Sequence, residues 1–158
     1  MNGKLVISLD FEKYWGMRDH KSLEDYQNNL EKVDEICSVL LDIFKQYNIN
    51  VTWATVGFLS FKNKKELLKK LPSDLPNYRD SNLGPYEYIQ QNELEPKYHF
   101  ADSTIRKIIE IPGQELASHT MSHFYCLEEG QNFINFEQDL KKNIEVFKIK
   151  YGKEIESI

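Results

Sequence analysis

Three short segments rich in β-branched and aromatic residues alternate along this chain with longer segments of helical periodicity. The strand-like segments are residues 4–10 (KLVISLD), 49–59 (INVTWATVGFL) and 114–119 (QELASH). Such alternation is typical of parallel sheets whose strands are joined by crossover helices. We therefore expect an α/β fold. The first segment should be a buried strand, because its apolar run is nearly continuous.

The longest helical pattern begins after Ser22 and ends at Tyr47. Its apolar residues recur every three or four positions: Leu23, Tyr26, Leu30, Val33, Cys37, Leu40, Phe44 and Tyr47. Ser22 fits an N-cap, with Asp25 three residues later as an imperfect capping box. This pattern predicts one amphipathic helix laid against a sheet, although the same spacing also fits four heptads of a coiled coil.

The rest of the chain continues the alternation, with one interruption. Further helices are expected at 60–71, 102–111 and 135–152, the last capped by Gly152. Residues 72–98 contain several prolines and are polar, which indicates an excursion from the core and not a second domain. The last residues, 153–158, are predicted to begin a fourth strand.

Composition excludes several classes of protein. The 158 residues are sufficient for one domain with a core of its own, and the net charge of −5 argues against a nucleic-acid partner. The lysines of residues 62–70 alternate with apolar residues and predict a solvated helix face. The two cysteines, Cys37 and Cys126, form no CxxC motif, which favours a reduced, cytoplasmic protein. No apolar run approaches the ~20 residues of a membrane helix, and the N-terminus lacks the pattern of a secretory signal.

Polar side chains follow two of the predicted strands at the points where those strands end. The first strand ends in LDFE, with Asp10 and Glu12, and the third runs into SHTMSH, with His119 and His123. In parallel sheets, functional groups collect at the carboxyl ends of the strands. We therefore expect these four residues to meet at one edge of the sheet.

Two imidazoles four residues apart lie on one face if the backbone turns helically after the strand. Both can then bind one cation at roughly 2.0–2.1 Å, with a carboxylate completing the set. Two histidines and one carboxylate leave positions open for water and substrate, which is typical of a catalytic metal site. A second carboxylate can act as general base. Asp10 and Glu12, two residues apart, should point to the same face, with Phe11 directed into packing.

A histidine pair at this spacing also arises by chance on protein surfaces, so the pair alone is weak support for a metal site. The carboxylates at the end of the neighbouring strand strengthen the metal interpretation. His20 and His99 have no such setting. We expect them on the surface, or at most in contact with a substrate.

The segment HTMSH at 119–123 resembles the His-[Ser/Thr]-x-x-His motif of polysaccharide deacetylases, the NodB-homology or carbohydrate esterase 4 group. SLDFE at 8–12 stands where that family has its first motif, usually Thr-Phe-Asp-Asp-Gly. The resemblance implies that Asp10 is the catalytic base and that His119 and His123 are metal ligands. The family's second Asp falls on Phe11, which cannot bind a metal, so we assign the third ligand to Glu12.

The resemblance implies a deformed (β/α) barrel, usually of seven strands, of which this chain covers about the front half. Residues 1–158 are therefore expected to be the N-terminal portion of a NodB-homology domain, incomplete at its C-terminus. The family's later motifs, which bear an Arg, an Asp/Trp pair and a Leu-x-His general acid, do not occur. We expect the chain alone to be inactive, to bind metal weakly if at all, and to self-associate through exposed strand edges.

The reaction implied is metal-dependent removal of N-acetyl groups from an amino sugar or polysaccharide, with zinc as the expected ion. A backbone N–H near Tyr125 would help the metal stabilise the oxyanion. Trp15 and Tyr125 offer stacking surface for a sugar ring, with core packing as an equal alternative. Two other functions stay open: a metal-free amidase of the same fold that acts on a cyclic amide or ureide, and a non-catalytic sugar-binding or assembly module.

Overall fold

Three parallel strands form the centre of the protein, as the alternation predicted. A computed structural model describes residues 3–158. It contains β1 (Ser8–Phe11), β2 (Val51–Thr55) and β3 (Gln114–Ser118), in the sheet order β1-β2-β3. Both strand pairs are parallel. The α/β class is thus confirmed as an open three-stranded parallel sheet, whereas the assignment to a larger barrel stays a prediction.

Seven α-helices surround this sheet within the described residues. They are α1 (Leu23–Leu30), α2 (Val33–Tyr47), α3 (Lys64–Leu68), α4 (Pro85–Gln91), α5 (Pro96–His99), α6 (Asp102–Glu110) and α7 (Phe133–Tyr151). Within this part of the chain, no helix is both long and apolar enough to cross a membrane.

The strand register aligns the carboxyl ends of all three strands. Phe11 is level with Thr55, and Thr55 is level with Ser118. The residues that directly follow β1 and β3, Glu12 and His119, therefore leave the sheet at the same edge. This alignment confirms the expected meeting point for the polar strand ends.

The first strand is shorter and more exposed than its apolar sequence predicts. It begins at Ser8, and the preceding Leu5 and Val6 are 87% and 81% exposed. Among the described residues β1 pairs only with β2, so it is an edge strand, and within it Phe11 alone is buried. A continuous apolar run favours a central strand, but it cannot show whether a neighbour will cover both sides.

The helix predicted from Ser22 to Tyr47 is two helices with a break between Leu30 and Val33. Ser22 caps α1 as expected, since its hydroxyl accepts the Asp25 N–H at 3.2 Å. Leu30 packs in a small cluster with Tyr14 and Tyr98, whereas α2 packs in the main core with the sheet. One straight helix cannot serve both clusters. The expected packing of an amphipathic helix against the sheet is confirmed for α2, whereas the prediction of a single helix is wrong.

The segment 72–98 is less separate from the core than its composition indicates. It contains α4, most of α5 and a 3₁₀ turn at Ser81–Leu83, and its Tyr86, Ile89 and Leu94 belong to the main core. The predicted excursion is therefore wrong in this respect. The short helix initiated by Pro85 places Tyr86 and Ile89 inward, and the segment before Pro96 adds Leu94, without a long periodic pattern in the sequence.

The remaining elements differ from expectation mainly at their ends. β2 stops at Thr55 and is followed by a 3₁₀ turn at Gly57–Ser60, and α3 is shorter than the predicted 60–71. Both α6 and β3 lie where expected, and Gly152 caps α7 in the left-handed conformation, with φ of 64°. Residues 153–158 form no regular strand, but the Ser118 N–H donates to the Ser157 carbonyl at 3.0 Å.

Candidate metal centre

Three predicted ligands converge at the carboxyl edge of the sheet. Glu12 Oε2 lies 3.1 Å from His123 Nε2 and 3.4 Å from His119 Nε2. One ligand atom from each residue lies within 4.8 Å of the others. Ligand atoms of a tetrahedral zinc shell with bonds of 2.0–2.1 Å stand about 3.3 Å apart. The three side chains therefore form a possible metal-binding triad with suitable spacing.

The turn after β1 directs Glu12 to this position. Glu12 precedes a 3₁₀ turn at Lys13–Gly16, and the buried Phe11 faces the core, as predicted. The Lys13 ammonium is buried and donates to Asp34 Oδ2 at 2.8 Å, which anchors the turn. A Cβ at Gly16 would collide with the Glu12 carboxyl group. Gly16 thus makes room for the ligand, a role that the sequence analysis missed.

The turn after β3 brings the two histidines together by a different route from the one predicted. Thr120 and His123 have positive φ values, 61° and 59°, so residues 119–123 do not form a helical turn. The His119 N–H donates to the Thr55 carbonyl at 3.0 Å, and the Phe124 N–H donates to Thr120 Oγ1 at 2.7 Å. These bonds close a compact turn that sets the imidazole centroids 5.0 Å apart.

The 3₁₀ turn that follows β2 supports the same turn. The Gly57 N–H donates to the Thr120 carbonyl at 2.9 Å, and the Phe58 N–H donates to the Met121 carbonyl at 3.0 Å. Such contacts satisfy buried backbone groups that a turn would otherwise leave without partners. The turn that carries the histidines is therefore hydrogen-bonded to the end of β2 and to the 3₁₀ turn that follows it.

The triad is partly open to solvent, which a catalytic metal site requires. The side chains of Glu12, His119 and His123 are 25%, 32% and 21% exposed. Burial raises the pKa of Glu12, but hydrogen bonds and charge from the two histidines outweigh it and lower the pKa to about 2. The Glu12 hydrogen bond raises the pKa of His119 against the effect of burial. An ionised carboxylate facing two imidazole nitrogens is a donor set that fits a divalent cation.

Asp10 lies beside the triad but outside it. The group of described residues that could hold a metal ion contains Glu12 and not Asp10. Asp10 is exposed on β1, and its charge contributes to the raised pKa of His119. This position is compatible with a base that acts near a bound ion without binding it.

Tyr125 borders the triad, but its main chain is already engaged. Its ring centroid lies 5.1 Å from that of His123, and its hydroxyl donates to Asp19 Oδ2 at 2.7 Å. The Tyr125 N–H donates to the Tyr78 hydroxyl at 3.0 Å. The Tyr125 N–H therefore has a partner within the protein, and an oxyanion contact from a backbone N–H near Tyr125 stays a prediction.

The proposed contact of Trp15 with a sugar ring is wrong, because Trp15 is buried. Its side chain is 1% exposed, its indole N–H donates to the His99 carbonyl at 2.7 Å, and its ring packs against Phe58. The alternative of core packing is the right one for Trp15. A partly buried aromatic near a site motif and a core aromatic look the same in sequence.

The other two histidines, His20 and His99, differ in their exposure to solvent. The His20 side chain is 72% exposed, as predicted, and lies 3.3 Å from Asp19. His99 is completely buried, so its expected surface position is wrong. No sequence signal marked this burial, because it depends on the short helices of residues 85–99.

A polar cleft of about 630 Å³ lies next to the Tyr125–Asp19 pair. Arg18 and Asp19 line it, together with Tyr14, Tyr88 and the 81–84 turn region. Arg18 donates to the carbonyls of Asn82 and Leu83, which holds this wall in place. One oxygen of the buried Asp19 carboxylate, Oδ1, has no hydrogen-bond partner. The cleft thus offers charged and polar groups close to the triad. Asp19 in its wall contacts Tyr125, whose ring packs against His123.

Comparisons with protein-family models, with curated proteins and with solved structures give no match to this chain. The functional interpretation therefore depends on the residues and their geometry. The resemblance to polysaccharide deacetylases stays a prediction.

Proposed function

We propose that this chain carries the metal site of a metal-dependent hydrolase that removes N-acetyl groups from an amino sugar or polysaccharide, similar to polysaccharide deacetylases. One observation carries the proposal. Glu12, His119 and His123 converge at the carboxyl edge of a parallel sheet, with a second carboxylate, Asp10, beside them. Parallel α/β folds place their catalytic groups at this edge.

Zinc is the proposed ion. Two imidazole nitrogens and one carboxylate oxygen, partly open to solvent, form a ligand set that zinc enzymes use for hydrolysis. When bound there, a divalent ion would polarise an amide carbonyl and make water more acidic.

The chain's own residues would perform the proton transfer and the orientation of substrate. Asp10 is the proposed base that accepts a proton from the attacking water, because it is an exposed carboxylate close to His119 but not within the ligand group. The polar cleft beside Asp19 and Arg18 is the proposed location of the sugar, whose hydroxyls need hydrogen-bond partners. The intact ligand set disfavours a metal-free amidase of the same fold.

The metal site is tested first, by equilibrium dialysis against zinc followed by metal analysis. The wild-type full-length gene product should retain about one zinc ion per chain, the stoichiometry of a single three-ligand site. Glu12→Gln should weaken binding strongly, because it removes the anionic ligand. Glu110→Gln, an exposed glutamate at the end of α6, is the matched control and should bind as wild type does. Failure of the wild-type protein to bind zinc would contradict the proposal.

The reaction is tested on the full-length gene product with acetylated chito-oligosaccharides. Asp10→Asn should abolish acetate release while the zinc content is unchanged, since only the base is lost. Glu12→Gln should lower both the acetate release and the zinc content. If Asp10→Asn loses zinc and Glu12→Gln keeps it, the roles assigned to these carboxylates are reversed.

A further inference from the structure

A buried carboxylate on α7 contacts the turn between the two histidines. Asp139 is 1% exposed. Its Oδ1 accepts the Met121 N–H at 2.6 Å and is 3.4 Å from the Ser122 nitrogen, while its Oδ2 accepts the Ser122 hydroxyl. All three donors therefore belong to the two residues at the centre of the 119–123 turn.

The turn needs such support because of its backbone. Thr120 and His123 have positive φ, a conformation that non-glycine residues rarely adopt without support from their surroundings. The main-chain bonds to Thr55, Gly57 and Phe58 hold the turn from the sheet side. Asp139 adds side-chain hydrogen bonds from α7, a helix that contributes no ligand.

A carboxylate is a costly choice for an interior position if packing is the only requirement. Transfer of a carboxylate from water into the core is unfavourable unless strong hydrogen bonds compensate. Burial raises the pKa of Asp139 to about 6, against the hydrogen bonds from Ser122 and Met121. Three donors directed at its two oxygens favour the ionised form, because a carboxylate can accept from all of them.

We propose that Asp139 is a positioning residue, which holds the 119–123 turn so that the imidazoles of His119 and His123 are directed together towards Glu12. The inference rests on the proposed metal site. Asp139 does not touch the ion or the substrate, and its effect passes through Met121 and Ser122. Partners outside the ligand shell of this kind commonly change metal affinity by ~10–100-fold when they are removed.

The experiment measures zinc affinity by competition with a chromophoric chelator, and the Co²⁺ absorption spectrum as a report on ligand geometry. Asp139→Ala should weaken zinc binding by ~10–100-fold and alter the Co²⁺ spectrum. Asp139→Asn keeps one carbonyl acceptor for the Met121 N–H and should restore part of the affinity. Ser122→Ala removes a single hydrogen bond and should give the smallest loss, which keeps the test valid if Asp139→Ala does not fold.

Val146→Ala is the matched control, since Val146 is buried on the same helix but belongs to the main apolar core. It should lower the melting temperature and leave zinc affinity and the Co²⁺ spectrum unchanged. Folded Asp139→Asn and Ser122→Ala proteins with wild-type affinity and spectra would show that Asp139 is merely structural. A wild-type protein that binds no zinc would instead overturn the metal site itself, and this inference with it.

Discussion

His99 and the pair His119 and His123 are the same residue type in two opposite settings. His99 is buried, and both of its ring nitrogens have partners: Nδ1 lies 3.0 Å from the Glu95 carbonyl and Nε2 lies 2.8 Å from the Tyr88 hydroxyl. His119 and His123 are partly exposed, and their Nε2 atoms face the Glu12 carboxylate. A histidine with both nitrogens satisfied in the core has none left for a ligand.

The electrostatics of the two regions follow the same division. Burial lowers the pKa of His99, which suits a neutral ring that donates to the Glu95 carbonyl and accepts from Tyr88. The Glu12 hydrogen bond raises the pKa of His119, because a carboxylate favours a positive charge nearby. Burial and the nearby Lys13 ammonium disfavour a positive charge on His99, whereas Glu12 favours one on His119. This is the difference between a structural histidine and a candidate cation ligand.

The largest expected effect is on zinc affinity. His123→Ala removes one of three ligands and should weaken zinc binding by more than the ~100-fold upper range known for residues outside the ligand shell. His99→Phe should leave the affinity unchanged, because His99 faces no cation site. Chelator competition measures both, and equal losses in the two variants would erase the distinction between the regions.

For the free energy of unfolding, the substitution of His99 is expected to have the larger effect. His99→Phe leaves the half-buried Tyr88 hydroxyl without its imidazole partner, and a buried unsatisfied group costs about 1–3 kcal/mol. The Glu95 carbonyl still accepts the backbone N–H groups of Tyr98 and His99. His20→Phe, at an exposed site, should change the free energy of unfolding by no more than about 0.5 kcal/mol. Urea unfolding compares the two variants, and a His99→Phe protein as stable as wild type would contradict the structural role.

The smallest expected effect is an opposite pH dependence of stability in the metal-free protein. The pKa of His99 is lowered below 6.5, so the unfolded chain binds a proton there more readily, and this residue's contribution should fall as the pH drops below 6.5. The pKa of His119 is raised above 6.5, so its contribution is fully present below pH 6.5 and is lost as the pH rises through the folded-state pKa.

Urea unfolding in chelator, between about pH 5 and pH 8, tests these signs. The stability advantage of wild type over His99→Phe should shrink towards low pH, whereas the advantage over His119→Gln should shrink towards high pH. Parallel curves for the two variants would show that the two environments do not differ in the predicted way.

Local sequence signals predicted the elements with clear patterns or caps. Ser22 at the start of α1, Gly152 at the end of α7, and the positions of α6 and β3 follow from interactions within a few residues. The topological rule for parallel strands then predicted that Glu12 would meet the histidines, because strand ends align regardless of sequence distance. Most residues of the candidate site could therefore be predicted from the sequence.

Other features were decided only by tertiary packing. The burial of His99 and Trp15 depends on short helices in the proline-rich segment, where no periodicity marks an inward face. The left-handed turn at 119–123 and its contact with Asp139 join β3 to α7. The sequence by itself determined which residues can bind a cation, through residue type and strand order. Tertiary structure decided which histidines remain open to one, because burial and hydrogen-bond partners come from distant parts of the chain.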